Sequence, residues 1–342
     1  MRKMMDTLKI ETLLKNYGQI SEVLTAVKEI FGETATKHHM QPSKKETNER
    51  QRVWKTAGFM PDGILEFRVT HRFIANTICV SIKLKPSLVT HKDSSKTALS
   101  KMDDYEQTVI GLNYFIDRIN SHLKSFILPP VIFWDVARVD YAYQYSTPFY
   151  AALLYILNKG RAMAENKGYK QSAYFVNECR NINFYDKTDK EKLPAIDGEH
   201  LLRFEVQLKR KAIKKLIAKY GWERASIYHV WNEMIAKKII IGTVETMVGK
   251  YDFYRLGIAE PIIRDGFQSR KADIIIDYLK KTRYNKAKLD NLLSGRVEGF
   301  SDNYIRRSIR PALNMVGIGP ILVPDCYHIS ILGNPIRQLE EL

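Results

Sequence analysis

The sequence predicts an α+β protein: a central, mostly antiparallel sheet with flanking helices, followed by a smaller, mainly helical C-terminal region. Three observations carry this. Stretches that alternate apolar and polar residues dominate up to about residue 210, and side chains two apart share one face of a strand. Helical stripes are interspersed, giving the order strand, helix, strand, strand, strand rather than a regular βαβ series. From about residue 250 the pattern turns to short amphipathic helices, so 1–250 is expected to form one domain and 251–342 another.

In order along the chain, "DTLKIETL" (6–13) reads as the opening strand. Residues 38–52, "HHMQPSKKETNERQR", are polar and expected to be an exposed loop. "DGILEFRVTHRFIANTICVSIKLKP" reads as two strands joined near Arg72–Ala75, ended by Pro86. In "DYEQTVIGLNYFIDRINSHL", Val109, Leu112, Phe115, Ile116 and Ile119 form a stripe of helical period. "VIFWDVARVDYAYQY" is a long strand. "STPFYAALLYILNKGRAMAENKG" carries the marks of a helix, with Thr147 as N-cap, Pro148 in the first turn and Gly168 beyond its end. "SAYFVN" and "NINFYDK" form a hairpin around Glu178–Arg180, and "HLLRFEVQLKRK" is a strand running into a basic helix over Ala212–Tyr220. "RKADIIIDYLKKTRY", "AKLDNLL" and "SDNYIRRSIRPALNMVG" complete the chain as short helices.

Composition restricts the function. An apolar share of 45% in 342 residues supports a large core, and no run of about 18 apolar residues offers a membrane span. Charges interrupt the first residues where a signal peptide needs its apolar stretch. Cys79, Cys179 and Cys326 are widely spaced, so neither a disulfide framework nor a CxxC metal knuckle is expected, and the cytoplasm is the expected compartment. Lys and Arg outnumber Asp and Glu by 54 to 38, giving a net charge of +16. Such a field attracts polyanions, and the cations are spread along the chain as for a groove or broad face on nucleic acid. An anionic membrane surface would call for a basic amphipathic helix or a lipidation motif, and neither is found.

Three strands share a polar pattern. In "LLRFEVQLK", Leu202, Phe204, Val206 and Leu208 face one way, and Arg203, Glu205, Gln207 and Lys209 the other. Arg138 and Asp140 share a face in "ARVDYAY", as do Asn181, Asn183, Tyr185 and Lys187 in "NINFYDK". Singly, an Arg-x-Asp or Arg-x-Glu pair is usually a solvated surface pair and a strand tyrosine usually packs. Together, inside a basic protein, they suit phosphoryl transfer. Two carboxylates can hold a hard divalent ion such as Mg2+ or Mn2+. A tyrosine hydroxyl of ordinary pKa about 10 becomes a nucleophile when a nearby cation such as Lys187 favours its ionised form.

The series "ARVDYAY", "NFYDKTDKE" and "LLRFEVQLKRK" resembles the replication initiators of filamentous phages, the gene II type, and more distantly the Rep_trans plasmid initiators. "MMDTLKIETL", "TICVSIKLKPSLV" and "VNECR" resemble other parts of that family, over roughly residues 4–215, and "SDNYIRRSIRPALNMVGIG" resembles it more weakly. The resemblance implies a rolling-circle nickase with Tyr185 as nucleophile, Asp140 and Glu205 as metal ligands, and Lys187 assisting. Asp6 matches an acidic residue of the family's opening strand and becomes a third candidate ligand. Ser81 stands where a phage relative can have an acidic residue, and Pro311 interrupts the last similar helix.

Other chemistries lack their motifs. The eight histidines form no His-apolar-His pair, no tyrosine-recombinase set can be assembled, and no GxxxxGK[ST] loop is present. Strand opening is therefore expected to depend on supercoiling or a host helicase, and synthesis on a host polymerase. Arg138, Arg203 and Lys209 are candidate DNA contacts beside the site, and Arg306, Arg307 and Arg310 on a C-terminal helix are candidate contacts to duplex DNA. The expected activity is metal-dependent, site-specific DNA nicking and joining through a 5′-phosphotyrosyl intermediate in a bacterial host. The competing readings are a non-catalytic origin-binding protein and a mobilisation relaxase.

Overall fold

The computed structural model describes residues 3–31, 41–43, 46–56, 63–91, 98–159, 165–166, 172–283 and 299–340. Its centre is an eleven-stranded, mainly antiparallel sheet. The strands are β1 (Lys3–Leu14), β2 (Gln41–Pro42), β3 (Gln51–Lys55), β4 (Ile64–Arg72), β5 (Thr77–Leu84) and β6 (Ser100–Lys101), then β7 (Asp135–Thr147), β8 (Glu165–Asn166), β9 (Ser172–Val176), β10 (Arg180–Asp186) and β11 (His200–Lys209). Their order is β2-β3-β4-β5-β1-β7-β11-β10-β9-β8, with β6 paired to β1. The helices are α1 (Gly18–Phe31), α2 (Pro86–His91), α3 (Tyr105–Asn120), α4 (Tyr150–Lys159), α5 (Lys187–Glu191) and α6 (Arg210–Tyr220), followed by α7 (Ile227–Val230), α8 (Glu233–Val248), α9 (Leu256–Gly266) and α10 (Ser269–Arg283). The expected α+β class, with a helical C-terminal region, is what forms.

The chain falls into two compact units. One comprises Met1–Ala142, Glu178–Arg180 and Gln207–Ala236; the other comprises Tyr143–Asn177, Asn181–Val206 and Lys237–Leu342. The division expected near residue 250 lies inside the second unit.

In the first unit, β1, β4 and β5 bury Leu8, Ile10, Phe67, Val69, Val80 and Ile82. From α3 come Leu112, Phe115, Ile116 and Ile119, all at most 1% exposed, and the Phe67 and Phe115 rings meet at 6.0 Å. The helical stripe read from the sequence is this face, except that Val109 is half-buried and Thr108 is buried, its hydroxyl donating to the Asp104 carbonyl at 2.8 Å. Gly63 lies at φ 77°, where a Cβ would sit 2.5 Å from the Val89 amide, so this entry to β4 requires glycine.

In the second unit, Phe184 of β10 and Phe204 of β11 meet at 4.9 Å, and Tyr145 stacks on Phe204 at 5.8 Å. Phe204→Ala removes the ring shared by both contacts and is expected to cost about 3–5 kcal/mol of stability, read as a fall in thermal midpoint. Ile240, Val244 and Met247 of α8, Ile263 of α9 and Tyr278 and Leu279 of α10 form the buried side of the C-terminal helices.

Several local expectations are corrected. Part of the polar loop is regular: Gln41 and Pro42 pair with Lys55 and Trp54, because backbone pairing does not require apolar side chains. Val131–Phe133 form a short helical turn before β7, after Pro129 and Pro130. Thr147 ends β7, its hydroxyl accepting from the Phe149 amide at 3.1 Å, and α4 begins only at Tyr150. Glu165 and Asn166, expected to be helical, pair with Val176 and Phe175 of β9, respectively. The expected helix at 287–293 lies outside the described residues. Pro311 does not break the last helix, because Ile305–Ile309 widens into a π turn in which the Arg310 amide reaches the Ile305 carbonyl. That wider turn gives the proline ring room where an α-turn would place a carbonyl against it.

Candidate active site

Asp140 lies on β7, and Asp6 lies beside it on β1. The β1–β7 register runs Met5↔Tyr141, then Thr7↔Asp140, so Asp6 falls at a bulge. Strict alternation would turn Asp6 away from the face that Thr7 shares with Asp140. The bulge re-aims it, and its charge acts on Asp140. Asp140 is 1% exposed. Arg138 Nε donates to Asp140 Oδ1 at 2.8 Å and Nη2 donates to Oδ2, while Gln207 Nε2 donates to Oδ2 at 3.4 Å. Burial pushes the Asp140 carboxyl up from its ordinary value, and Arg138 pulls it back through hydrogen bonding and charge.

Tyr185 lies near the end of β10, and Glu205 lies on β11. The Tyr185 hydroxyl donates to Glu205 Oε2 at 3.4 Å. The ring is 4% exposed and its covering is cationic: Lys190 Nζ stands 4.0 Å and Lys187 Nζ 5.8 Å from its centroid. Both lysines belong to α5, which begins immediately after the strand. Asp186 caps it by accepting from the Asp189 amide at 3.1 Å and also meets His200 Nδ1 at 2.5 Å, while Tyr150 stacks on the His200 ring at 3.8 Å. The short helix is therefore fixed at its N-terminus, directly beside the tyrosine.

Lys187 starts α5 rather than continuing the strand, so its nearness to Tyr185 comes from the helix and not from alternation. It is buried and donates to Glu191 at 3.1 Å. Burial, and secondarily Arg203, lower its pKa from the usual 10.5, while Glu191 raises it. Arg203, expected to touch DNA, is 2% exposed, with its Nε 3.9 Å from Glu205 Oε2. The alternation was read correctly, but its polar side is covered here, so a duplex cannot reach that guanidinium. Lys209 is half-buried at the N-cap of α6. Arg306 and Arg307 are exposed and Arg310 half-buried.

The carboxylates of Asp6, Asp140 and Glu205 each bring an oxygen within 4.8 Å of the others. Three carboxylate oxygens at that spacing form a hard donor set of the kind that Mg2+ or Mn2+ takes. The three carboxylates are among the residues singled out in the sequence, and Ser81 is paired to Glu11 and Arg68 rather than contributing an acid.

Four cations near these groups escaped the sequence reading. Lys9 pairs in register with Lys83 on one side and Arg138 on the other, and Arg68 acts on Lys9 from β4. Strand parity would have found Lys9 once β1 was aligned to β7, but that alignment is a tertiary fact. Lys190, exposed on α5, is the fourth.

Lys9 has its pKa lowered from 10.5 to about 8, by burial first and then by Arg68. Below about pH 8 the folded protein must carry this half-buried ammonium among other cations. The unfolded chain keeps its proton to higher pH, so stability rises with pH between about 8 and 10.5. Lys9→Met is expected to raise the thermal midpoint at pH 7 and to flatten that rise.

No family model and no curated protein matches the chain. Among solved structures, a rolling circle replication initiator protein from Geobacillus stearothermophilus is similar over 71% of this chain and 84% of that chain, at 13% identity and a TM-score of 0.31. Similarity at that level transfers neither a residue nor an activity to this chain. Among the described residues, no helix is long and apolar enough to cross a membrane.

Proposed function

We propose that this chain is a metal-dependent, site-specific DNA nicking and joining enzyme that initiates rolling-circle replication of a phage or related element in the cytoplasm of a bacterial host. The observation that carries the reading is the Tyr185 hydroxyl in hydrogen-bond reach of Glu205, whose carboxylate belongs to the Asp6, Asp140 and Glu205 cluster. The Tyr185 ring is packed, but its hydroxyl is turned to a carboxylate rather than to apolar neighbours, and a basic protein supplies the field that draws a polyanion to it.

Asp6, Asp140 and Glu205 would hold Mg2+ or Mn2+, which when bound polarises the scissile phosphate and offsets charge on its oxygens. Glu205 orients the Tyr185 hydroxyl and accepts its hydrogen bond. Lys190 and Lys187 favour the phenolate by their charge. The Tyr185 hydroxyl gives its proton to water, its oxygen attacks phosphorus, the bond from phosphorus to the 3′ oxygen breaks, and that oxygen takes a proton from water and leaves as a hydroxyl. The 5′ phosphate stays on Tyr185. The ester stores the bond, so a later attack by a 3′ hydroxyl reseals the strand without ATP, while a host polymerase extends the first 3′ end and a host helicase opens the duplex. Arg138 fixes Asp140 in place. Lys9, Lys83 and Lys209 take backbone phosphates, and Arg306, Arg307 and Arg310 contact the duplex on the C-terminal helix.

Incubation of the purified chain with Mn2+ and supercoiled phage or plasmid DNA carrying the element's origin tests this. Open circles and a denaturation-resistant protein–DNA adduct are expected. Binding without either product would leave a non-catalytic origin-binding protein.

A further inference from the structure

We propose that the β4–β5 hairpin tip is a duplex-opening wedge, in which Phe73 and Ile74 enter between base steps while neighbouring cations hold the phosphates. It rests on the reading that DNA is the substrate and adds a strand-separating role to it. Ile74 is 82% and Phe73 43% exposed, and beside them Leu13 at the end of β1 is 64% and Tyr17 56% exposed. Ile74 and Leu13 gain nothing for folding by facing water, and Phe73 and Tyr17 turn only part of their rings inward, against His71.

The surroundings favour nucleic acid as the occupant. Lys15, Arg50 and Arg52 are exposed here and Arg72 is half-buried. Glu49 is exposed among them, whereas Glu46 is taken up by Lys55 and Arg68. Apolar residues flanked by cations are the composition of side chains that unstack a base step, the cations supplying affinity from the phosphates. A wedge must also be stiff, and this one is. The Asn76 amide donates to the Phe73 carbonyl at 3.2 Å, with Asn76 at φ 43°, and the Phe73 amide donates to the Arg50 carbonyl at 2.9 Å in the adjacent turn. The His71 ring lies edge-on to Tyr17 at 5.1 Å and to Phe73 at 4.9 Å, bracing the base of the tip.

Position fits the task as well. Asp6 and Leu13 are on the same strand, and seven residues at about 3.4 Å each place the apolar cluster about 24 Å along β1 from the acidic group. Each strand of a duplex advances about 3.4 Å per nucleotide, so the tip would lie roughly seven base steps of duplex from the cleaved bond. This supplies local opening in a chain whose sequence has no nucleotide-driven motor loop.

The test uses the full chain and an A·T-rich duplex carrying 2-aminopurine, whose fluorescence rises when its base unstacks. Wild-type protein should raise the fluorescence. The double variant Phe73→Ser, Ile74→Ser, altered only at exposed positions, should bind the duplex with affinity within about twofold, measured by anisotropy, yet lose most of the rise. Arg50→Gln with Arg72→Gln should weaken binding and flatten its salt dependence. An equal fluorescence rise from wild type and the serine variant overturns the wedge. So does a serine variant that leaves fluorescence unchanged but converts a sedimenting dimer to monomer, which would make the tip a contact between copies. Should the nickase reading itself fail, no substrate is cut, yet the fluorescence difference persists. Should only the wedge fail, single-stranded DNA and supercoiled DNA are cut equally well by wild type and variant.

Discussion

On the proposed reaction, Tyr185→Phe is expected to abolish the protein–DNA adduct and to lower nicking of supercoiled DNA by at least about a thousandfold. The substitution deletes one oxygen and leaves the ring, so the packing of β10 against β11 is retained. The lost contact is to Glu205 at 3.4 Å, longer than an ordinary O–H···O bond of about 2.5–3.0 Å and correspondingly weak. Stability should therefore change little, and the thermal midpoint of the variant controls for folding. DNA affinity should also hold, since phosphate-binding cations and not the phenol supply it. Nicking by Tyr185→Phe at the wild-type rate would remove this residue from the reaction. An adduct that persists in the variant would point to another of the chain's 19 tyrosines.

The second large effect concerns the acids. Asp140→Asn and Glu205→Gln each take a negative charge from a three-carboxylate group, and each is expected to lower Mn2+ binding and nicking by at least about a hundredfold. Titration calorimetry with Mn2+ alone reads the first quantity without DNA. The two variants should differ in stability. Asp140 is buried and bonded by both Arg138 nitrogens, so Asp140→Asn weakens a charge-assisted pair and lowers the thermal midpoint. Glu205 is half-buried and its Oε2 stands 3.9 Å from the buried Arg203, so Glu205→Gln should lower the thermal midpoint too, but by less than Asp140→Asn. Unchanged Mn2+ binding in both variants would dismiss the triad as a metal centre. Metal removal by a chelator should reproduce the loss of nicking and leave DNA binding largely intact. A pH effect accompanies this: burial raises the Asp140 carboxyl, so protonation there begins at a higher pH than for an ordinary aspartate, and Mn2+ affinity should fall as the solution is acidified.

Local pattern made much of this legible. Alternation in "LLRFEVQLK" put Leu202, Phe204, Val206 and Leu208 inside, and they are at most 2% exposed, because a strand's two-residue period is a property of its own backbone. The hairpin around Glu178–Arg180 and the helix α3 followed from the same kind of reading. The Arg-x-Asp, Tyr-x-Lys and Arg-Phe-Glu segments named the candidate residues. Alternation failed where the chain left its period. Lys187 was assigned to a strand face because nothing in "FYDKTDKE" weighs an Asp186 cap against one more strand residue. Arg203 was expected to meet solvent, although the polar side of a strand can be covered by whatever follows it.

By itself, then, the sequence determined which residues could do chemistry, the class of fold that carries them and the positive field around them, since composition and period are written one residue at a time. Only the tertiary structure decided which of them meet. The bulge that turns Asp6 toward Asp140 and the pairing that lines Lys9 up with Lys83 and Arg138 depend on register across strands distant in the chain. That register is set by the packing of the whole sheet, a sum of many weak contacts that no single segment encodes.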